Sequence, residues 1–281
     1  MLRTLLILGR VSNLPTVWSN CLAGWWLAGG GPSWRLLLFC SAASCWYVGG
    51  MYLNDAFDAE FDSQHRPERP IPSGAITREW VWALGVAWLA IGTGAAVPLG
   101  RTTVLCGLLL VGAILVYDGV HKLFAFSPVL MALCRLLLIL AAASTGRDGI
   151  TGLALWSGLV MACYIIGLSY LARQESTLVA LRYWPCIFLA APLVLALVVN
   201  RGEHQLRTTL LCGAVILWTL RTLRFALWSP QRNIGRSVSG LLAAIPLIDL
   251  LAVWDGTPAV GAIFIGLFLT ALLFQRFVPA T

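Results

Sequence analysis

The sequence predicts an all-α membrane protein, a polytopic bundle of transmembrane helices. Apolar residues make up 59% of the chain and charged residues 11%, and the mean hydropathy is +0.84. Apolar runs of about 18 residues or more, long enough to span a bilayer as a helix, recur along the whole chain. No soluble domain or long linker interrupts them, so we expect a single domain over residues 1–281.

Ten apolar segments have roughly the length needed to cross a hydrocarbon core of about 30 Å. They lie at 11–30, 35–54, 79–98, 102–118, 126–144, 152–172, 183–199, 208–228, 236–254 and 258–276. The segments at 102–118 and 183–199 are the least secure of the ten.

The basic residues, which give a formal net charge of +7, fall mostly in short loops. If the N-terminus and the loops at 55–78, 119–125, 173–182 and 229–235 share one side of the membrane, that side holds thirteen Lys and Arg residues and the other side five. Such an excess marks the cytoplasmic side. The charge therefore indicates topology rather than nucleic-acid binding, and we expect a multi-pass protein of the bacterial inner membrane.

Three carboxylates follow the second apolar segment at spacings of three and four residues. Asp55, Asp58 and Asp62 would share one face of a helix, and Glu60 would point elsewhere. Converging carboxylate oxygens suit Mg²⁺, which proteins usually bind together with substrate phosphates. The three aspartates are therefore candidate metal ligands. The other interpretation of this stretch is a solvated, charged loop between two helices.

Arginines and prolines follow the carboxylates. Arg66 and Arg69 alternate with Pro67, Pro70 and Pro72, which cannot continue a helix. Guanidinium groups bind phosphate oxygens through paired hydrogen bonds. The stretch as a whole therefore predicts metal-assisted binding of a diphosphate at a membrane surface.

Residues 54–74, NDAFDAEFDSQHRPERPIPSG, follow a membrane helix and resemble the signature of the UbiA superfamily of intramembrane prenyltransferases. The resemblance implies a bundle, usually of nine helices, around a cavity that is open to lipid and whose polar mouth faces the cytoplasm. The predicted count is thus nine to ten helices. The resemblance also implies that the aspartates, assisted by Asn54, hold Mg²⁺ on a prenyl diphosphate, whose C1 atom alkylates an acceptor that is often aromatic.

Residues elsewhere in the chain also match the family. Asn13 matches an asparagine that contacts the polar end of the pocket, although a hydrogen bond between helices explains it equally well. Tyr117 and Lys122 match a tyrosine and a lysine that reaches the diphosphate. Lys122 is the only lysine in the chain, and the alternative for it is an ordinary loop charge that sets topology.

Arg135 interrupts an apolar segment, roughly a turn or two from its start. An arginine at the centre of a membrane helix costs about 2.5 kcal/mol or more even on a lenient insertion scale. We therefore expect it to face a carboxylate or the diphosphate. The alternative is that its long side chain extends to the membrane interface.

The sequence departs from the family where a second aspartate-rich motif is expected. Residues 167–176 contain no aspartate, and Tyr170, Arg173 and Glu175 are the candidates there for substrate binding. Either Arg173 replaces one metal ion by a fixed charge, or Glu175 alone holds that ion, or the chain does not catalyse the usual transfer. We prefer the first interpretation, because a guanidinium stabilises diphosphate charge much as a metal ion does.

The predicted function is Mg²⁺-dependent transfer of a prenyl group from a prenyl diphosphate to an aromatic or other lipophilic acceptor, with release of diphosphate. The alternative, which the missing second motif favours, is a divergent relative that transports or handles a lipid carrier. The predicted catalytic residues are Asp55, Asp58, Asp62, Lys122 and Arg173. The predicted substrate-binding residues are Asn13, Asn54, Arg66, Arg69, Tyr117, Arg135, Tyr170 and Glu175.

Overall fold

The computed structural model describes residues 1–174, 183–200, 205–229, 231–253 and 256–280. Within these ranges the chain is helical and contains no strand, as predicted. The α-helices are α1 Leu2–Leu8, α2 Leu14–Leu27, α3 Ser33–His65, α4 Arg78–Ala96, α5 Arg101–Val120, α6 Ser127–Ala143, α7 Gly152–Arg173, α8 Pro185–Phe188, α9 Ala191–Val199, α10 Gln205–Leu227, α11 Ile234–Ala243, α12 Ile245–Ala252 and α13 Pro258–Phe274. Short 3₁₀ turns, Val11–Asn13 and Val97–Leu99, precede α2 and α5.

The longest helix, α3, determines where the acidic stretch lies. It has 33 residues, which corresponds to about 50 Å and exceeds the apolar thickness of a bilayer, about 30 Å. The predicted segment at 35–54 is therefore only part of this helix, and the acidic residues continue the same helix to His65. The helix ends there because Pro67 disfavours a helical conformation at Arg66, which has a φ of −145°.

Helix α4 packs closely along α3 because glycines remove side chains from the contact. A Cβ atom added at Gly49 of α3 would lie 2.9 Å from the carbonyl oxygen of Gly85 in α4. One added at Gly92 of α4 would lie 2.8 Å from the carbonyl oxygen of Ala42. Small residues at such contacts are typical of packed membrane helices. The contact aligns α4 along α3 and brings the chain back towards the start of α3.

The predicted segments overlap helices, but six helical stretches in the described ranges are long and apolar enough to cross a membrane, if α4 is taken with its 3₁₀ turn and α11 with α12. These six are Ser33–His65, Arg78–Leu99, Arg101–Val120, Gly152–Arg173, Gln205–Leu227 and Ile234–Ala252. Shorter apolar helices cover Ser127–Ala143, Pro185–Val199 and Pro258–Phe274. The all-helical fold is thus confirmed, whereas the count of nine to ten spanning helices and the central cavity are not.

Prolines divide two of the predicted segments into pairs of helices. In the segment at 183–199, α8 and α9 are separated just before Pro192. In the segment at 236–254, α11 and α12 meet just before Pro246. Proline lacks the N–H group that a helix interior requires but is well suited to a first turn, so each proline begins a new helix.

Contacts between loops define the two ends of the bundle. The backbone N–H of Arg147 donates to the carbonyl of Gly30, and the side chain of Arg35 donates to the carbonyl of Leu99. The loops that precede α3, α5 and α7 therefore share one end. The acidic end of α3 lies at the other end with the loops that follow α3 and α5. If successive predicted segments cross the membrane in opposite directions, the same loops fall on the same two sides.

We expect Gly92→Ala to destabilise the bundle, because the added methyl group would meet the carbonyl oxygen of Ala42 and the ring of Trp46. Overpacking of this kind costs about 1–3 kcal/mol. Gly94 lies in the same helix with no atom within 4 Å of an added Cβ, so Gly94→Ala should be neutral or slightly stabilising. Thermal unfolding of the purified protein in detergent compares the two variants. Equal unfolding midpoints would contradict this packing.

Candidate functional site

The predicted acidic face of α3 is present, and it is buried. Asp55, Asp58 and Asp62 are 7%, 8% and 2% exposed, while Glu60 lies on the exposed side of the helix. A buried carboxylate is costly unless cations and hydrogen-bond donors compensate its charge. Three other segments of the chain supply those partners.

The loop after α3 places Arg69 between two of the carboxylates. Its Nη1 atom lies 3.3 Å from Oδ1 of Asp55 and 2.8 Å from Oδ2 of Asp62. Backbone turns shape this loop: the N–H of Ser73 donates to the carbonyl of Arg69, and Gly74 adopts a φ of 76°, in the left-handed region that favours glycine. One cationic nitrogen atom thus bridges Asp55 and Asp62.

The third carboxylate, Asp58, pairs with residues that follow α5. Nζ of Lys122 lies 2.8 Å from Oδ1 of Asp58, and Nε2 of His121 lies 3.3 Å from Oδ2. The Lys122 ammonium also lies 3.8 Å from the centroid of the Phe61 ring, where a cation is attracted to the ring face. Tyr117 stacks on His121, with 5.1 Å between ring centroids. The only lysine of the chain therefore does meet the predicted carboxylates.

Arg10, between α1 and α2, supplies a further cation. Its Nη2 atom lies 3.1 Å from Oδ1 of Asp55 and 3.4 Å from Oδ1 of Asn54. Asn54 donates from Nδ2 to Oδ1 of Asp118 at 3.0 Å, and Asp118 is 4% exposed. Burial acts to lower the pKa of Arg10, but Asp55, Tyr47, Tyr117 and Asp58 together outweigh it and raise that pKa. Arg10 is therefore a permanent positive charge beside the acidic face.

Three residues of the site, Arg10, His121 and Asp118, are not among those that the sequence predicts. His121 and Asp118 adjoin predicted residues in the chain, and this proximity is the signal that could have found them. Arg10 is a lone cation just before an apolar segment, a position that topology alone also explains. Only the fold brings it to the carboxylates.

Two predicted substrate-binding residues, Arg66 and Tyr170, form no ion pair or side-chain hydrogen bond with the three carboxylates among the described residues. Arg66 is exposed just beyond the end of α3. The ring of Tyr170 packs against Trp184, with 4.8 Å between their centroids. Glu175 lies outside the described residues. The roles assigned to these three residues stay predictions.

Arg173, at the end of α7, contacts the loop after α5. Its Nη1 atom donates to the carbonyls of Phe124 and Ala125, at 3.0 and 2.9 Å, and to the hydroxyl of Ser127 at 3.0 Å. This loop directly follows Lys122. Within the described residues Arg173 therefore stabilises the segment that carries Lys122 and does not itself contact the three aspartates.

A second polar group surrounds Arg135, deeper in the bundle. Nη1 of Arg135 lies 2.8 Å from Oδ1 of Asn20, and Nη2 lies 3.1 Å from Oγ1 of Thr16. Asn20 also donates from Nδ2 to Oδ2 of Asp249 at 2.8 Å. A carboxylate or the diphosphate was expected beside Arg135. In the part of the chain that the structure describes, its hydrogen bonds go to neutral oxygens, and Asn20 links it to the carboxylate of Asp249.

Asn13 lies between the two polar groups. Its Nδ2 atom donates to the hydroxyl of Tyr47 at 3.2 Å and to the carbonyl of Ala280 at 2.9 Å. The Tyr47 hydroxyl in turn lies 3.5 Å from the carbonyl oxygen of Arg10, and the Thr16 hydroxyl donates to the carbonyl of Asn13 at 2.7 Å. Asn13 therefore makes a hydrogen bond between helices, which is the alternative to a role in the pocket. Through Tyr47 and Thr16 it also links Arg10 to the polar group around Arg135.

The carboxylates fit a divalent cation at one place. Asp55 and Asp62 share a cationic nitrogen of Arg69, and carboxylate oxygens are suitable ligands for Mg²⁺. Asp58 faces Lys122 instead, and within the described ranges no three His, Cys, Asp or Glu side chains form a group that could hold a metal ion. An ion between Asp55 and Asp62 would take the place of the Arg69 side chain. The role of Asp58 as a ligand stays a prediction.

These features define an integral membrane protein whose helix bundle carries a charge-paired acidic site at one end. The profile of the UbiA prenyltransferase family matches residues 16–272, and the chain belongs to that family. The family to which the sequence motif pointed is thus confirmed over most of the chain.

Curated relatives match part of the chain. A digeranylgeranylglyceryl phosphate synthase from Ignicoccus hospitalis is 37% identical over 102 residues, which are 36% of this chain and 33% of that protein. A 4-hydroxybenzoate octaprenyltransferase from Pectobacterium atrosepticum is 30% identical over 93 residues, which are 32% of this chain and 31% of that protein. The aligned segments thus span about a third of the length of these relatives.

Two solved structures share the fold. The apo structure of a UbiA homologue from Aeropyrum pernix superposes with a TM-score of 0.67 at 16% identity, over 89% of this chain and 98% of that one. A structure of digeranylgeranylglyceryl phosphate synthase superposes with a TM-score of 0.62 at 15% identity, over 95% of this chain and 99% of that one. At these identities the likeness establishes the fold alone.

Proposed function

We propose that the protein transfers a prenyl group from a prenyl diphosphate to a lipophilic acceptor within the membrane and releases diphosphate. The observation that carries this proposal is the buried face of Asp55, Asp58 and Asp62, with the cations of Arg69 and Lys122 in contact with it. Membership of the UbiA prenyltransferase family and the names of the relatives support it.

Asp55 and Asp62 would hold Mg²⁺, with Asp58 as a further candidate ligand. When bound, the ion supplies Lewis-acid neutralisation of the diphosphate charge. Asn54 orients the polar groups behind this pair, since its amide accepts from Arg10 and donates to Asp118. Arg10 thus remains beside the carboxylate of Asp55 whether Arg69 or Mg²⁺ binds on the other side of that carboxylate.

The cations of the chain act on the leaving group. As the allylic C1–O bond breaks, its electron pair goes to the diphosphate. The side chains of Arg69 and Lys122, 17% and 34% exposed, donate hydrogen bonds to the oxygens that gain this charge. The acceptor forms its new bond to C1, where positive character has developed, and loses a proton. Arg173 supports this step by stabilising the loop that follows Lys122.

We place the site on the cytoplasmic side of a prokaryotic plasma membrane. The excess of basic residues in the loops on the side of the acidic face supports this orientation. The bacterial inner membrane is the setting expected from the sequence, and the relatives include a bacterial octaprenyltransferase as well as archaeal synthases.

The orientation is tested by labelling single cysteines in a background without the native ones. A cysteine at the exposed position of Ser73, in the loop after α3, should react with a membrane-impermeant maleimide only after the cells are opened. Arg147→Cys, at the opposite end of the bundle, should react in intact cells and serves as the matched control. The reverse pattern would overturn the cytoplasmic orientation.

We expect Asp55→Asn and Asp58→Asn to abolish Mg²⁺-dependent release of pyrophosphate from an allylic diphosphate, because the shape of the site survives but its charge does not. Glu60→Gln removes a carboxylate from the exposed side of the same helix and should leave turnover unchanged. The assay uses purified protein, a panel of prenyl chain lengths and acceptors, and a Mg²⁺ titration. Wild-type turnover in either aspartate variant would refute the assignment. Absence of release by the wild type with every substrate would favour a lipid-carrier role.

The role of Arg173 is tested with a double-mutant cycle. If Arg173 acts by positioning Lys122, Arg173→Ala should slow the single-turnover rate by about 10²-fold, the scale for losing one preorganised donor, and should add little in a Lys122→Met background. If the guanidinium of Arg173 itself binds the diphosphate in place of a metal ion, the rate reductions of Arg173→Ala and Lys122→Met should multiply in the double variant. Glu175→Gln should be the milder change in both cases. A larger effect of Glu175→Gln, with a raised Mg²⁺ requirement, would assign the metal to Glu175.

A further inference from the structure

Four exposed arginines surround the turn between α10 and α11. They are Arg221 and Arg224 near the end of α10, Arg232 in the loop, and Arg236 in the first turn of α11. We call them the arginine cluster. The sequence nearby offers no counter-ion, because residues 204–248 contain neither aspartate nor glutamate. Within the described residues none of the four forms an ion pair or a side-chain hydrogen bond.

The turn holds two of these guanidinium groups against one aromatic ring. The guanidinium carbon of Arg236 lies 3.9 Å from the centroid of the Phe225 ring, and that of Arg224 lies 4.9 Å from it. The backbone N–H of Asn233 donates to the carbonyl of Phe225 at 2.9 Å and so closes the turn. A ring face attracts a cation but does not neutralise it. The two positive charges are therefore held close together with their N–H donors facing no acceptor among the described residues.

Other cations of the chain are used differently. Arg10, Arg69 and Lys122 each contact a buried carboxylate. Membrane topology requires positive charges in a cytoplasmic loop, but it does not require them to converge on one ring. Two like charges held close together repel each other, and an anion bound between them would remove that repulsion. The arrangement of the arginine cluster therefore favours an anionic ligand from outside the chain.

The arginine cluster lies at the end of the bundle that carries the acidic face. Gln275, which follows α13, donates to the carbonyl of Ser239 in α11 at 3.0 Å, and Ala280 shortly after it accepts from Asn13 at 2.9 Å. Asn13 directly precedes α2 and lies at the acidic end. The indole of Trp228, just after α10, is exposed, as is typical of the membrane–water interface. The arginine cluster is therefore at the level of the lipid headgroups.

The face of α10 that carries two of the arginines continues into the bilayer as an apolar surface. Leu217 and Leu220 precede Arg221 and Arg224 by four residues each, so they lie on the same face of the helix, and both leucines are exposed. A ligand that fits this surface has an anionic group at one end and hydrocarbon chains below it. This is the chemistry of a phospholipid rather than that of a soluble anion.

We propose that the arginine cluster binds the phosphate headgroup of an anionic phospholipid. The planar guanidinium groups donate to the phosphate oxygens, and the acyl chains pack along Leu217 and Leu220. Where the acidic end faces the cytoplasm, this is the leaflet with the negative surface. The bound lipid joins α10 to α11 at their turn from outside the bundle. The lipid site is separate from the acidic face and does not depend on the proposed transfer reaction.

Lipid binding to the delipidated full-length chain in detergent tests the site. The probes are phosphatidylglycerol and phosphatidylcholine with identical dioleoyl chains, and native mass spectrometry measures the bound fraction during a titration. We expect saturable binding of phosphatidylglycerol that is about tenfold tighter than that of phosphatidylcholine. The double variant Arg224→Gln with Arg236→Gln should weaken it by about 25-fold, roughly fivefold for each guanidinium removed.

The matched control is Arg101→Gln with Arg147→Gln, which removes the same charge from exposed side chains at the opposite end of the bundle. It should leave the affinity for phosphatidylglycerol unchanged. If the double variant of the arginine cluster does not fold, Arg221→Gln and Arg232→Gln decide, because neither arginine makes a cation–π contact with Phe225 within the described residues. Each of these changes should weaken binding about fivefold.

Three results would overturn the lipid site. Displacement of phosphatidylglycerol by inorganic phosphate would assign the arginine cluster to a soluble anion. Equal affinities for the two lipids would show that the headgroup charge is not recognised. Equal losses in the cluster variants and in the control would indicate general attraction to a charged surface.

Discussion

The structure depends on the neutralisation of carboxylates that are buried at the end of a membrane helix. The three aspartates of α3 share one face, and burial of their charges there is costly unless cations compensate it. The cations come from the turn before α2, from the loop after α3 and from the residues that follow α5. Compensation of one acidic face thus joins segments that are far apart in the chain and determines the architecture of that end of the bundle.

The core of the site could be predicted because its signal is local. The spacing of the aspartates and the arginines that follow them lies within one stretch of sequence, and helical periodicity alone gives the shared face. Arg10 and Asp118 reach the same place from positions 45 and 64 residues away from their partners. No periodicity links such residues, so only the packed helices reveal the contact. The contact of Arg173 with the loop after α5 depends on packing in the same way.

The helical fold followed from hydropathy, but its details did not. Hydropathy measures whether a segment is apolar, and it therefore located α4, α5 and α7 well. Hydropathy does not show where a helix ends within an apolar run. The interruptions before Pro192 and Pro246 were therefore not predicted. Hydropathy also ended the second segment where the acidic residues begin, although α3 continues to His65 because the partners of those residues keep them buried.

The ion pairs of the acidic face have a consequence for selectivity. A bare anion, such as free phosphate, that drew Arg69 or Lys122 away from its carboxylate would leave a buried negative charge uncompensated. A ligand that brought its own divalent cation would exchange partners without that loss, because its metal would neutralise the carboxylates and its oxygens would accept from the side-chain cations. The ion pairs would therefore favour a ligand that carries a divalent cation over a lone anion.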